Sequence, residues 1–362
     1  MPTRTDAMKR RAGGASRSGR TAFVDLTRLM DIVGAFSREK ICVVGDMVLD
    51  EFVSGEISRV SREAPVLILR HRKTEAYPGG AANAANNIAD LGARVIPIGA
   101  VGDDEGGRKL LELFKRKGVD VSGIIVTRER PTTTKTRYLA GWSHTTEQQV
   151  LRVDREPGAT LPERVQQAIE RKARAAAASA DAVLISDYGM GAASPSLTRK
   201  LETKLLTLDS RYRLLEFRDA RITAATPNES EVEAEYHTQV GTDLNKLAQL
   251  GARAVRDLSA EAVIVTRGKD GLSVFERDTG DAGTASGPQH IPIYGSDTPV
   301  DVTGAGDTVI AVFTLALAAG ASYFEAAHLA NYAGGIVVMK ARTATVTRAE
   351  LETVLAREAA QS

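Results

Sequence analysis

Along most of this 362-residue chain, short apolar runs alternate with longer segments patterned as helices, and that alternation restricts the fold more than any other feature. Ile41 to Gly45, Val95 to Gly99, Val119 to Val126, Asp181 to Ser186, Leu205 to Asp209, Ala262 to Arg267 and Leu272 to Phe275 read as strands, several of them buried on both faces. Gly80 to Leu91, Glu105 to Lys117 and Glu163 to Ala180 read as helices, with Gly92 ending the first. Ile310 to Ala319 and Tyr323 to Met339 are the closing helices. This order predicts an α/β fold, a mainly parallel sheet with helices on both faces. Sites in such sheets lie beyond the carboxyl ends of the strands. Gly45-Asp46, Ser186-Asp187, Asp209 and Arg267-Gly268 fall there.

Two segments break the rhythm, at about 51–77 and about 132–154. Glu51 to Gly55, Val66 to Leu69, Thr134 to Tyr138 and Gln149 to Val153 carry short strand patterns, which predict a small separate sheet. The first twenty residues hold Arg4, Lys9, Arg10, Arg11, Arg17 and Arg20 against one acid, Asp6, with few apolar residues. Residues 1–36 are expected to form a basic, disordered tail, and 37–362 one domain. The tail lacks the apolar core of a signal peptide. A formal charge of +1 points to neither nucleic acid nor membrane as a partner, and no apolar stretch reads as a membrane span. The single cysteine, Cys42, sits in an apolar run as a core residue and suits a reducing, cytoplasmic compartment.

The chemistry concentrates at Asp301-Val302-Thr303-Gly304-Ala305-Gly306-Asp307-Thr308, followed at once by the apolar run Val309 to Leu317. A buried helix starting there directs free N–H groups and the positive end of its dipole outward. Small side chains let an anion approach that backbone closely. Gly304, Ala305 and Gly306 are therefore candidates to hold a transferring phosphoryl group, and Asp307 to take a proton from an attacking hydroxyl. The same letters also suit a plain helix cap. Upstream, Pro78-Gly79-Gly80-Ala81-Ala82-Asn83-Ala84-Ala85, Leu91-Gly92-Ala93 and Gly99-Ala100-Val101-Gly102-Asp103-Asp104-Glu105-Gly106 stand in order. Together these motifs resemble the two signatures of the ribokinase-like (PfkB) family of sugar kinases, over about Lys40 to about Thr347.

The resemblance implies a ribokinase-like three-layer α/β/α sandwich, in which the two irregular segments form a β-strand lid over the sugar site. It implies ATP as phosphoryl donor, Mg²⁺, and a homodimer through the lid, which would cover the lid's apolar face and edges. Asp46, Asp50 and Asp187 become sugar ligands, with Gly79, Gly80 and Asn83 as the floor. Asn228 and Glu231 come near the nucleotide phosphates, Glu231 meeting Mg²⁺ through water, although the same letters would cap a helix. Thr266, Gly268, Gly271 and Thr303 would line the nucleotide, and Asn331 would border the adenine.

Within the family, Gly55 to Val66, Thr132 to Arg137, Ser186-Asp187-Tyr188-Gly189-Met190-Gly191 and Ala225 to Asn228 resemble the kinases of ADP-heptose biosynthesis. Those act on D-glycero-β-D-manno-heptose 7-phosphate. The implied reaction is phosphorylation at the anomeric O1 to the 1,7-bisphosphate, for lipopolysaccharide core synthesis. Ser58, Arg59, Lys135 and Arg137 would hold the existing phosphate, or would otherwise form a solvated strand face. Met190 stands where related kinases usually have Lys, and Asp209-Ser210-Arg211 replaces a more common Asp-Pro-Lys. Some relatives carry a fused nucleotidyltransferase with a His-x-x-His-type motif. None follows here, so any adenylyl step is expected of another protein. The alternatives are a kinase of another sugar or sugar phosphate, such as a ketohexose phosphate, and a non-catalytic sugar-binding regulator.

Overall fold

In the computed structural model, which describes residues 24–142, 147–158, 160–277 and 287–361, the apolar runs join one nine-stranded sheet. Its parallel part comprises β1 (Lys40–Gly45), β4 (Arg94–Gly102), β5 (Ile124–Thr127), β8 (Ala182–Asp187), β9 (Leu206–Ser210), β10 (Ala224–Ala225) and β11 (Ala262–Thr266). Antiparallel β12 (Leu272–Glu276) and β13 (Gln289–Ile291) complete one edge. The order across the sheet is β13-β12-β11-β10-β9-β8-β1-β4-β5.

Side chains alternate across β1, so Ile41 and Val43 enter one core and Cys42 and Val44 the other. The first core packs under α1 (Leu26–Ala35), α2 (Ala81–Asp90), α3 (Glu105–Arg116), α8 (Ala305–Ala318), α9 (Tyr323–Val337) and α10 (Arg348–Gln361). The second lies under α4 (Glu163–Ala177), α5 (Pro195–Thr198), α6 (Glu229–Tyr236) and α7 (Leu244–Asp257). Three layers result, as the α/β alternation predicts.

Two expectations need correction. The disordered tail does not reach residue 36: Asp25 caps α1 by accepting from the amides of Thr27 and Arg28, and Leu29, Ile32, Val33 and Phe36 are fully buried. Their three-to-four-residue spacing is a helical stripe that the neighbouring arginines obscured. Residues 1–23 lie outside the described residues. The strand expected from Val119 begins only at Ile124, because Gly118 (φ +73°) turns the chain and Asp120 accepts from the Ser122 amide in a tight local turn.

A second sheet, ordered β3-β2-β6-β7, contains β2 (Met47–Val60), β3 (Leu67–Gly80), β6 (Thr133–Gly141) and β7 (Gln148–Arg155). It takes in both irregular segments. Only Asp46 separates β1 from β2, and β3 runs straight into α2 at Gly80 (φ +56°), so this lid is hinged directly on the strand ends where a site is expected. Phe52 anchors it, buried between the guanidinium groups of Arg137 and Arg342, each 5.2 Å from its ring centre. Among the described residues no helix is long and apolar enough to cross a membrane.

Candidate active site

The site is centred on the first turn of α8. Gly304 precedes it with φ +79°, and a Cβ there would come within 2.4 Å of the Asn83 amide nitrogen, so glycine is required on both counts. Asn83, fully buried on α2, donates from Nδ2 to the Gly304 carbonyl (3.2 Å) and to Asp307 Oδ2 (3.1 Å). The Tyr188 hydroxyl donates to Asp307 Oδ1 at 2.7 Å. Asn87 and Thr308 continue this polar seam between α2 and α8. Burial pushes Asp307 up to about 7, against the Tyr188 and Asn83 hydrogen bonds that favour its charged form; Asp50 adds to the rise and Arg211 opposes it. A buried carboxylate poised near neutrality at a helix N-terminus can accept a proton at the working pH of a cell.

Several expected sugar ligands are engaged elsewhere. Asp46 is buried, and its carboxylate accepts the backbone amides of Tyr188 (2.9 Å), Met190 (3.1 Å) and Ala192 (2.9 Å). Asp187 is buried under Arg213, which donates to its two oxygens at 2.9 and 2.7 Å, and it also accepts from Ser210 Oγ and the Gly189 amide. Both acids therefore brace the loop after β8. Asn83 is likewise engaged by the protein itself, through Asp307. The Asp209-Ser210-Arg211 departure has a local use, since Ser210 serves Asp187 and the Arg211 guanidinium lies 6.0 Å from the Tyr188 ring centre. Met190 accepts a contact from Thr133 Oγ1 at its sulfur, and its carbonyl accepts from Arg130.

Asp50 does reach the site. Its Oδ1 accepts from Arg137 Nη1 at 2.6 Å, its Oδ2 from Thr343 Oγ1 at 3.2 Å, and it lies so close to Gly79 that a Cβ there would meet Oδ2 at 2.5 Å. Lys135 shares a lid face with Arg137, two residues apart on β6, and is tied to Asp154 (3.2 Å) and Glu156 (2.9 Å). Ser58 and Arg59 do not join them: both are exposed, at the far end of β2, up to about 30 Å along the strand from Asp50. The four residues expected to hold a phosphate thus do not converge within one chain.

On the other side of α8, a cleft of about 280 Å³ is lined by Thr266, Gly268, Gly271, Leu272, Ile293, Val309, Asn331 and Val338, and by Ala305 and Gly306. Apolar walls with a few polar groups that end on a helix N-terminus suit a nucleotide, its base between the aliphatic side chains and its phosphates on the α8 amides. Asn331 is held by donating to the Pro292 carbonyl. Thr303 stands at the turn, its amide donating to Asp301. Asn228 and Glu231 form a full capping box on α6, so the helix-cap reading is satisfied. Among the described residues no three His, Cys, Asp or Glu side chains converge to hold a metal ion. Burial, then the charges of Glu231, Asp307 and Asp187, hold Asp209 well above the usual carboxylate range, and burial also raises Glu231. Oxygen donors few in number are compatible only with a Mg²⁺ ion that keeps most of its waters.

The profile of the pfkB family of carbohydrate kinases matches residues 38–349. The chain belongs to this family. This pfkB kinase is 38% identical over 331 residues to "Bifunctional protein HldE" of Desulfatibacillum aliphaticivorans, a match covering 89% of the chain and 64% of that protein. It is also 38% identical over 318 residues to the protein of the same name from Geobacter metallireducens, covering 85% and 61%. The chain therefore spans less than two thirds of these relatives' length. Among solved structures, ribokinase of Arabidopsis thaliana complexed with ribose and ATP superposes with a TM-score of 0.63 at 20% identity, covering 88% of this chain and 98% of that one. Escherichia coli phosphofructokinase-2 in complex with substrates and products superposes with a TM-score of 0.70 at 18% identity, covering 88% and 99%. The fold is ribokinase-like, and the pfkB kinase is a sugar kinase.

The fold brings the expected Asp307, glycine turn and Asp50 near one another, and adds Tyr188, Arg213, Arg342 and Thr343, to which the motifs gave no role. Tyr188 lay within a quoted motif, and its place one residue past a strand end was the one available signal.

Proposed function

We propose that this sugar kinase transfers the γ-phosphoryl group of ATP to the anomeric hydroxyl of D-glycero-β-D-manno-heptose 7-phosphate. The observation that carries the chemistry is Asp307, buried in the first turn of α8 beside backbone amides that open on the cleft. In this reading the acceptor O–H bond gives its proton to Asp307 as the sugar oxygen bonds to the γ-phosphorus and the bond to ADP breaks. The N–H groups of Gly304, Ala305 and Gly306 stabilise charge on the transferring group. Asp50, held by Arg137 and Thr343, orients the sugar hydroxyls. Thr266, Gly268, Gly271, Thr303 and Asn331 bind the nucleotide. Asn228 and Glu231 support Mg²⁺ through water, and the ion supplies charge neutralisation along the phosphates.

The heptose assignment rests on the relatives of 38% identity and on the lid sequence. A homodimer through the lid is part of the proposal, supported by Val150, Leu151 and Val153 of β7, each 46–55% exposed. The product would serve lipopolysaccharide core synthesis in the cytoplasm. One observation favours a second reading, a kinase of another sugar or sugar phosphate: Lys135 is already neutralised by Asp154 and Glu156.

ADP release with ATP, Mg²⁺ and a panel of heptose 7-phosphate, fructose 6-phosphate, ribose and fructose is the test. Selective turnover of heptose 7-phosphate is expected. Preference for another member would discard the heptose and keep the phosphoryl-transfer site.

A further inference from the structure

Tyr188 is more firmly built into the site than a packing residue needs to be. Its amide is held by Asp46 at 2.9 Å, and Asp187 fixes the following residue by accepting from the Gly189 amide at 3.0 Å. Two buried carboxylates are thus given over to one short loop. The Tyr188 ring lies beside Gly80, where a Cβ would come within 3.3 Å of it, and the Arg211 guanidinium faces it on another side. The outcome of this bracing is a single directed contact, from the hydroxyl to Asp307 Oδ1 at 2.7 Å. Asn83 binds the other oxygen at 3.1 Å.

We propose that Tyr188 is a positioning residue for phosphoryl transfer: its hydroxyl and the Asn83 amide clamp Asp307 as an oriented, ionised carboxylate, leaving its remaining lone pairs for the acceptor hydroxyl. Each carboxylate oxygen can accept more than one hydrogen bond, so the clamp and the acceptor can be present together. The groups facing Asp307 are Asn83 from α2, Asp50 from β2 with its partner Arg137, Tyr188 from the loop after β8, and Asp209 and Arg211 from the end of β9. Asp50 opposes ionisation of Asp307, whereas Arg211, Asn83 and Tyr188 favour it, and the charge of Asp307 in turn raises Asp209. Tyr188 itself stays a donor, because burial and the neighbouring acids push its own ionisation far upward.

The inference rests on the kinase reading, but its test does not depend on turnover alone. In Tyr188→Phe the acid limb of kcat/KM is expected to move up by about one pH unit, with about a tenfold loss of kcat/KM well below neutrality. Replacing Tyr188 alone with 3-fluorotyrosine, a stronger donor of similar shape, is expected to move the limb down, and it serves if the Phe variant fails to fold. In parallel, the Asp307 side-chain carboxyl is followed by ¹³C NMR across the same pH range, its resonance assigned by its loss in Asp307→Asn. Its titration is expected to move up in Tyr188→Phe and down with fluorotyrosine. Unchanged limb and unchanged carboxyl titration in folded Tyr188→Phe, with ATP binding intact by calorimetry, would overturn the proposal. If no sugar is turned over, the functional reading falls, and the carboxyl titration still decides for or against Tyr188.

Discussion

In the main sheet, Ile41, Cys42, Val43 and Val44 of β1 are inaccessible to solvent from either face, whereas in the lid every residue of β7 is exposed. The two sheets treat charge just as differently. Beneath the helices, Asp307, Asp209 and Tyr188 are desolvated until their ionisation shifts strongly. Along the outer lid, Arg152 pairs with Asp154 and Lys135 with Glu156, and Arg152 and Glu156 are about half exposed. The lesson is one of dielectric: the same ion pair is worth about 0–1 kcal/mol at the surface, while an uncompensated charge in the interior costs several. Chemistry that needs a perturbed group belongs under the helices. The outer strand of the lid is free to act as a surface.

The sharpest way to break this comparison is Asp307→Asn, expected to lower turnover by about 10²–10⁴-fold with ATP affinity retained, by ADP release and calorimetry. Undiminished turnover would remove the desolvated base from the mechanism. Next comes Arg137→Ala. Although it lies in the lid, its partner Asp50 is only 7% exposed, so urea unfolding should show a loss of about 3–5 kcal/mol. A loss below about 1 kcal/mol would mean that the lid behaves as surface throughout.

Gly304→Ala should cost about 1–2 kcal/mol from the left-handed backbone alone, read as a lowered melting temperature, with activity falling further as Asn83 is displaced. The pH profile follows. Since burial raises Asp307 to about 7, kcat/KM should fall about tenfold for each pH unit below that value. The stability term has the opposite sign. A carboxyl raised from 3.8 to about 7 binds its proton more tightly in the folded state, so this group adds stability as pH falls through 7 towards 3.8. A melting temperature that dropped in step with activity there would assign the loss to unfolding instead of to the base. The smallest effect is expected for Leu151→Lys on β7, about 0.5 kcal/mol or less in unfolding, but with the proposed dimer shifted to monomer in sedimentation. A dimer that persisted would place the interface elsewhere.

The legible parts of the molecule were those set by neighbours in sequence. Apolar runs became strands and Ala-rich charged segments became helices, with ends off by a few residues. The Gly304-Ala305-Gly306-Asp307 turn became a helix start because its conformation is a local property. Helix α1 was hidden because six basic residues upstream weighed against its three buried side chains. Asp46 and Asp187 carry a part that the sequence did not show, for a different reason. An acid past a strand end looks the same in sequence whether it faces a ligand or, as here, binds amides and an arginine of its own protein. Tyr188 showed only its place past a strand end, and its contact could not be read, since its partner is 119 residues away.

By itself, the amino-acid order determined the layered α/β architecture, the site's position at the strand ends and the turn that begins α8, because periodicity and backbone preference act over a few residues. Only the tertiary structure decided which carboxylates are consumed by internal hydrogen bonds, which one is left desolvated near neutrality, and which lid cations are already paired. Those outcomes depend on burial and on partners brought from distant strands and helices, and both come into existence only when the chain has folded.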